Sequence, residues 1–200
     1  MPETANINID DNVLADQCRR GDSAAMERLI LKYQNRIYNV TLKICANADD
    51  AAELTQDTFV KIIENIDRFE SRSSFYTWAF RIAVNLTLNY CKRNVRLGIR
   101  SLDVEEEQAA PRAKGLLKEF LTDECAPDPA MVAADKELCE MIFRALMKLD
   151  DEQKTVVILR DIEGMNYAQI ADVLGIELGT VKSRLSRARS NLREIMEAVW

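Results

Sequence analysis

Residues 167–189 read YAQIADVLGIELGTVKSRLSRAR, and their spacing is that of two short helices crossing at a tight turn. Ala171 falls where the helices must approach closely, Gly175 follows four residues later in the turn, and Val181 lies six residues beyond on the covered side of the second helix. Each residue type has a mechanical reason: Ala leaves room at the crossing, Gly accepts the positive φ of a helix C-cap, and Val plugs the space between the helices. Val181, Leu185, Ala188 and Leu192, at steps of 4, 3 and 4, then form one apolar stripe. At ~100° per residue the opposite face carries Ser183, Ser186, Arg187 and Ser190, flanked by Lys182, Arg189 and Arg193. Small hydroxyls permit close approach to a duplex and guanidinium forks read guanine or grip phosphate, so this face suits a DNA major groove.

Helical periodicity continues N-terminally over about 132–149 and 151–162. Before it, residues 97–131 hold three of the four prolines (Pro111, Pro127, Pro129) and the acids Asp103, Glu105, Glu106 and Glu107, which reads as an acidic, flexible linker. Leu116, Leu117, Phe120 and Leu121 could form one short helix within it. Four further helices precede the linker. The first covers about 11–20; the second, capped by Asp22 or Ser23, aligns Met26, Leu29, Ile30, Tyr33, Ile37, Val40 and Ile44 in one stripe. The third covers about 49–66 with Phe59, Ile62, Ile63 and Ile66 inward, and the fourth runs from Ser73 or Ser74 to about 95 with Phe75, Trp78, Ala79, Ile82 and Leu86 on one face. Gly and Pro are few and strand-like alternation is absent, so the expected fold is all-α: an N-terminal helical bundle at 1–96, the linker at 97–131 and a C-terminal helix-turn-helix domain at 132–200.

The 200 residues include no His, which removes the commonest general base and most zinc sites. Cys18, Cys45, Cys91, Cys125 and Cys139 are scattered, with no C-x-x-C pair. No catalytic residue, metal site or cofactor is expected, and reduced thiols fit the cytoplasm. No apolar run approaches the roughly 18 residues that span a bilayer, and 1–11 is polar and acidic, so neither a leader nor membrane insertion is expected. The net charge of -6 is unevenly spread: 71–100 carries 6 bases and no acid, 101–140 carries 4 bases and 11 acids, and 180–193 carries 5 bases and no acid. Two acid-free basic segments in an acidic protein point to an anionic partner.

Six of the 13 aromatic residues, Phe69, Phe75, Tyr76, Trp78, Phe80 and Tyr90, fall within 22 residues beside the first basic segment. Thr77, Arg81, Asn85 and Asn89 recur every four residues and form one polar row. Such amides and guanidinium suit base edges, and rings near 69–74 could stack unpaired bases. A core helix with one wet stripe accounts for the same spacing. On the preceding helix, Glu53, Gln56 and Asp57 lead into Lys61 and Glu64 as an ordinary solvated face.

The segments ELTQDTFVKIIENIDRF at 53–69 and SSFYTWAFRIAVNLTLNYCKR at 73–93 resemble region 2 of bacterial sigma factors, and 167–189 resembles region 4 of the same family. With a short linker in place of a third domain, the layout is similar to the extracytoplasmic-function (group IV) subfamily. The resemblance implies a dissociable specificity subunit of bacterial RNA polymerase rather than an enzyme. It implies that Glu53, Gln56 and Asp57 dock on the clamp helices of the largest polymerase subunit while the second domain sits at the flap region. Lys61, Phe69, Tyr76, Trp78, Arg81 and Asn85 would open and hold the single strand of the promoter -10 element. Lys182, Ser183, Arg184, Ser186, Arg187 and Arg189 would read the duplex -35 element. The linker would pass through the polymerase active-site channel, and an anti-sigma factor would be the inhibitor.

Two other classes fit parts of the pattern. A stand-alone helix-turn-helix regulator would dimerise through its N-terminal domain, but that interface has no use for Arg81, Lys92, Arg93 and Arg96. A carboxylate-metal enzyme at Asp49, Asp50 and Glu53, or at Glu105 to Glu107, would rest on acids that read as a helix N-terminus and a solvated linker.

Overall fold

The computed structural model describes residues 10–70, 73–97 and 141–198, and among these all regular structure is helical. Each N-terminal helix begins at a side chain that accepts otherwise orphaned N–H groups. Asp10 opens α1 (Asp11–Arg19), accepting from the Asn12 N–H at 3.0 Å, and Gly21 reverses the chain at φ 86°. Asp22 caps α2 (Ser23–Cys45) at 2.9 and 3.2 Å, Asn47 caps α3 (Ala48–Asn65) at 3.0 and 3.2 Å, and Ser74 caps α4 (Phe75–Arg96) at 3.2 Å.

Leu29, Tyr33, Ile37, Val40 and Ile44 of α2 meet Phe59 and Ile62 of α3, Ile66 beyond it, and Phe75, Ala79, Phe80, Ala83 and Val84 of α4 in one buried core. Two expectations are corrected. Ile63 is 50% exposed, because Phe59, Ile62 and Ile66 already occupy the inner side and Ile63 lies ~100° round from Ile62. Thr77 is buried, its hydroxyl 2.9 Å from that of Ser74, so the exposed polar row starts at Arg81.

The C-terminal unit comprises α5 (141–147), α6 (Asp151–Val157), α7 (Tyr167–Leu174) and α8 (Leu178–Glu197). Asp150 caps α6 at 2.7 Å. The continuous helix expected over 151–162 instead widens at Ile158–Ile162 into a π-turn, where the Glu163 N–H reaches the Ile158 carbonyl at 3.0 Å. Residues 98–140, which hold the expected linker beyond Leu97, the short helix expected in it, the expected boundary at 131/132, Cys125 and Cys139, lie outside the described residues. Cys18, Cys45 and Cys91 are buried. No described helix is long and apolar enough to cross a membrane.

The two units are in contact. α7 lies along α4, and α2 meets both α6 and the π-turn, so the buried apolar cluster continues from one unit into the other.

Candidate nucleic-acid interface

The helix pair α7–α8 is set by local chemistry. Asn166 and Gln169 form a reciprocal capping box, each side chain accepting from the other's N–H at 2.9 Å, which fixes the start of α7. Gly175 ends it at φ 65°, and the Ile176 N–H reaches back to the Ala171 carbonyl at 3.1 Å. Ala171 is half-buried at the crossing, and Val181, Leu185 and Ala188 are buried, with Leu192 half-buried below them. That stripe turns Lys182, Ser183, Ser186, Arg187 and Ser190 outward, all exposed.

The cations on α8 fall into two sets. Lys182 and Arg187 carry no ion pair among the described residues. Arg184 is half-buried and pairs with Glu152 of α6 at 2.8 Å. The Arg189 fork grips Asp161 of the π-turn, Nε to Oδ2 at 3.2 Å and Nη2 to Oδ1 at 2.5 Å. Lys182, Arg189 and Arg193, with the Ser186 and Ser190 hydroxyls and Tyr167, line an open cleft of about 480 Å³ in whose wall no carboxylate stands among the described residues. A cleft so lined attracts a phosphate oxygen.

The aromatic surface around α4 is layered. Phe69 is 3% exposed and lies against Phe75 (5.9 Å, edge-on) and Trp78 (5.2 Å), so it supports Trp78 from beneath. Trp78 itself is half-buried. Tyr76 packs at a 53° tilt against Phe80 with centroids 4.4 Å apart and lies under the Arg36 guanidinium at 4.7 Å. Burial, then the facing Glu163 carboxylate, push its phenol up to about 12 against the opposing pull of Arg36. Arg81 and Asn85 are exposed on the outer face of α4, and Lys61 is exposed on α3, paired with Glu64 at 2.7 Å. The structure therefore places Trp78, Arg81 and Asn85 on one side of α4 with Phe69 against Trp78, turns Tyr76 about 160° round the helix from Trp78 toward Arg36 and Glu163, and sets Lys61 apart on α3.

Glu53, Gln56 and Asp57 are exposed together on α3 at i, i+3 and i+4. The same face continues into Val60 and Ile63, each 50% exposed. Sequence periodicity placed Ile63 in the core and passed over Val60; an apolar residue next to an inward position looks core-facing in a single sequence whether water or a partner covers it. Arg36 and Glu163 were missed too, being single charges in unremarkable surroundings.

Comparison with known proteins agrees with this geometry. Residues 29–97 match the Sigma-70 region 2 family and residues 139–192 match Sigma-70, region 4. The chain is 32% identical over 182 residues, 90% of both chains, to the ECF RNA polymerase sigma-E factor of Salmonella typhimurium, and equally to that of Escherichia coli strain K12. It is 30% identical over 178 residues to the ECF sigma factor SigW of Bacillus subtilis, covering 89% of this chain and 92% of that one. Among solved structures, CnrH in complex with the cytosolic domain of CnrY aligns with a TM-score of 0.63 at 23% identity, over 94% of this chain and 97% of that chain. The sigma factor RpoE in complex with the anti-sigma factor NepR from Bartonella quintana aligns at 0.60 and 23%, over 86% and 96%, and shares the fold. A helix-turn-helix with a basic outer face, joined in one chain to an aromatic helical bundle of the region 2 type, thus belongs to the extracytoplasmic-function sigma factors.

Proposed function

We propose that this chain, as an extracytoplasmic-function sigma factor, loads onto core RNA polymerase in the cytoplasm and directs initiation at promoters bearing paired -10 and -35 elements, without itself being an enzyme. The observation that carries the reading is the outward face of α8, where Lys182, Ser183, Ser186 and Arg187 are exposed over a buried Val181–Leu185–Ala188 stripe. Lys182 and Arg187 read or grip the -35 duplex directly, the serines allow close approach, and Arg184 and Arg189 reach phosphate from carboxylate-held positions.

On α4, Tyr76, Trp78, Arg81 and Asn85 form the -10 single-strand surface, with Phe69 as its support and Lys61 at its edge. The α3 face of Glu53, Gln56 and Asp57 docks on the polymerase clamp helices, and its exposed Val60 and Ile63 supply apolar area there. The C-terminal unit sits at the flap region. An anti-sigma factor is the expected inhibitor, a reading supported by the anti-sigma complexes of CnrH and RpoE, which share the fold.

The test is size-exclusion of the purified protein with sigma-free core polymerase, followed by run-off transcription from the same fractions. Co-elution with promoter-dependent transcripts is expected. A dimer that shifts duplex DNA and does not bind core would replace this reading with that of a stand-alone regulator.

A further inference from the structure

Polar side chains join the two units, and among them Glu163 is the one shielded from water, while Arg36, Lys92 and Glu152 stay about half exposed. Glu163, at the end of the π-turn, has a side chain only 9% exposed, and all its described partners lie in the N-terminal unit. It accepts from Arg36 Nη2 of α2 at 3.0 Å and from the Tyr76 hydroxyl of α4 at 3.4 Å, while Arg36 also donates to the Tyr76 oxygen at 3.2 Å. A second bridge has Glu152 between Lys92 of α4, at 3.9 Å, and Arg184 of α8, at 2.8 Å. Between these bridges α7 lies along α4. The junction therefore engages one residue of the -10 surface, Tyr76, and one of the -35 helix, Arg184.

This arrangement is incompatible with reading a promoter. Elements centred at -10 and -35 are about 25 base pairs apart, or about 85 Å at ~3.4 Å per pair. A compact 200-residue chain has a radius of gyration of only about 16 Å. The covalent path permits separation: the 43 residues from 98 to 140 reach at most about 140 Å when extended. The units must part before both elements are contacted, and parting strips the Glu163 carboxylate of its partners.

Resting on the sigma-factor reading, we infer that the free chain occupies a shut state latched by Glu163 on Arg36 and Tyr76, and that release of this latch limits its loading onto core polymerase. The latch lowers apparent core affinity by the fraction of chain that is shut, so weakening it tightens loading. A charge introduced without its partner breaks the latch, and exchanging both charges restores an ion pair at the same place.

The experiment compares the full-length protein with Arg36→Glu, Glu163→Arg and the double exchange, by small-angle scattering and by titration with core polymerase. Circular dichroism checks that each variant keeps its helices. The expected result is a compact wild type, an enlarged radius and about tenfold tighter core binding for each single variant, and a return toward wild type in both readouts for the double. An extended wild type, or single variants with unchanged radius, would overturn the latch. Enlarged single variants with unchanged core affinity would overturn its role in loading. If no variant bound core at all, the sigma-factor reading would fail, while the radii would still decide whether the latch exists.

Discussion

Side chains of one type on one helix differ here because of what faces them. Arg187 is exposed on α8 with no carboxylate partner among the described residues, whereas Arg184 and Arg189 each hold an acid from another element. Replacing Arg187 with Ala should therefore lower initiation about 5- to 100-fold at promoters that need a -35 element, the range of one good base or phosphate contact, and leave core binding intact. Run-off transcription from promoters with and without that element checks it, and equal output from both would remove the assignment. The outward face was legible from spacing alone, but the split among its cations was not, since Glu152 and Asp161 lie on elements whose packing no local pattern encodes. Burial also sets a pH limit. Desolvation, the largest influence, raises the Cys45 thiol from its ordinary 9.0 to about 11, so the unfolded chain loses this proton first. The stability it contributes is whole below pH 9 and lost by about pH 11, amounting to ~2–3 kcal/mol. The melting temperature of wild type should fall through that window more steeply than that of Cys45→Ala; parallel curves would show that other groups govern the loss.

Helix ends were read well from the sequence where a cap is chemically explicit. Gly175, read from the sequence as the turn, does end α7, whereas the Asn166–Gln169 capping box that starts it at Tyr167 emerged only from the structure. Gly175 has no neighbour within 4 Å of an added Cβ, so Gly175→Ala should cost only the strain of a positive φ, about 1 kcal/mol by thermal denaturation. The π-turn was illegible because Ile158–Ile162 follows directly on the helix with no Gly or Pro to mark a change of winding. On α3 the misplacement of Ile63 is itself informative. A half-exposed isoleucine beside Val60 and Asp57 contributes little to the fold, so Ile63→Glu should leave stability within ~0.5 kcal/mol. The same change should weaken association with core polymerase at least several-fold, as expected for apolar area at an interface centre. By contrast Ile62→Ala, which empties a fully buried site, should cost ~2–5 kcal/mol. Loss of core binding by the buried variant alone would move the docking face elsewhere.

The whole molecule is acidic, with a net charge of -6 and a pI near 4.9, although it carries two basic faces. That both units are helical, and that each presents its own basic surface, could be read from the chain. That they meet through Arg36, Tyr76 and Glu163 could not, because contacts between units separated by 43 residues leave no periodic trace. The combination decides how DNA is bound. Long-range repulsion slows approach of the free protein to a duplex, and one basic helix supplies few phosphate contacts, so the free chain should bind DNA no better than the ~10⁻⁴–10⁻⁶ M typical of non-specific association. Core polymerase changes the arithmetic without changing the contacts. Once it holds one unit on the promoter, the second meets its element at an effective concentration of about millimolar, enough to saturate a contact that is weak when free. A sequence-specific electrophoretic shift on a promoter duplex should accordingly be absent with nanomolar free protein at physiological salt and complete with nanomolar holoenzyme. A sequence-specific shift by nanomolar free protein would show that α8 alone suffices, and that neither polymerase nor the separation of the two units is required for recognition.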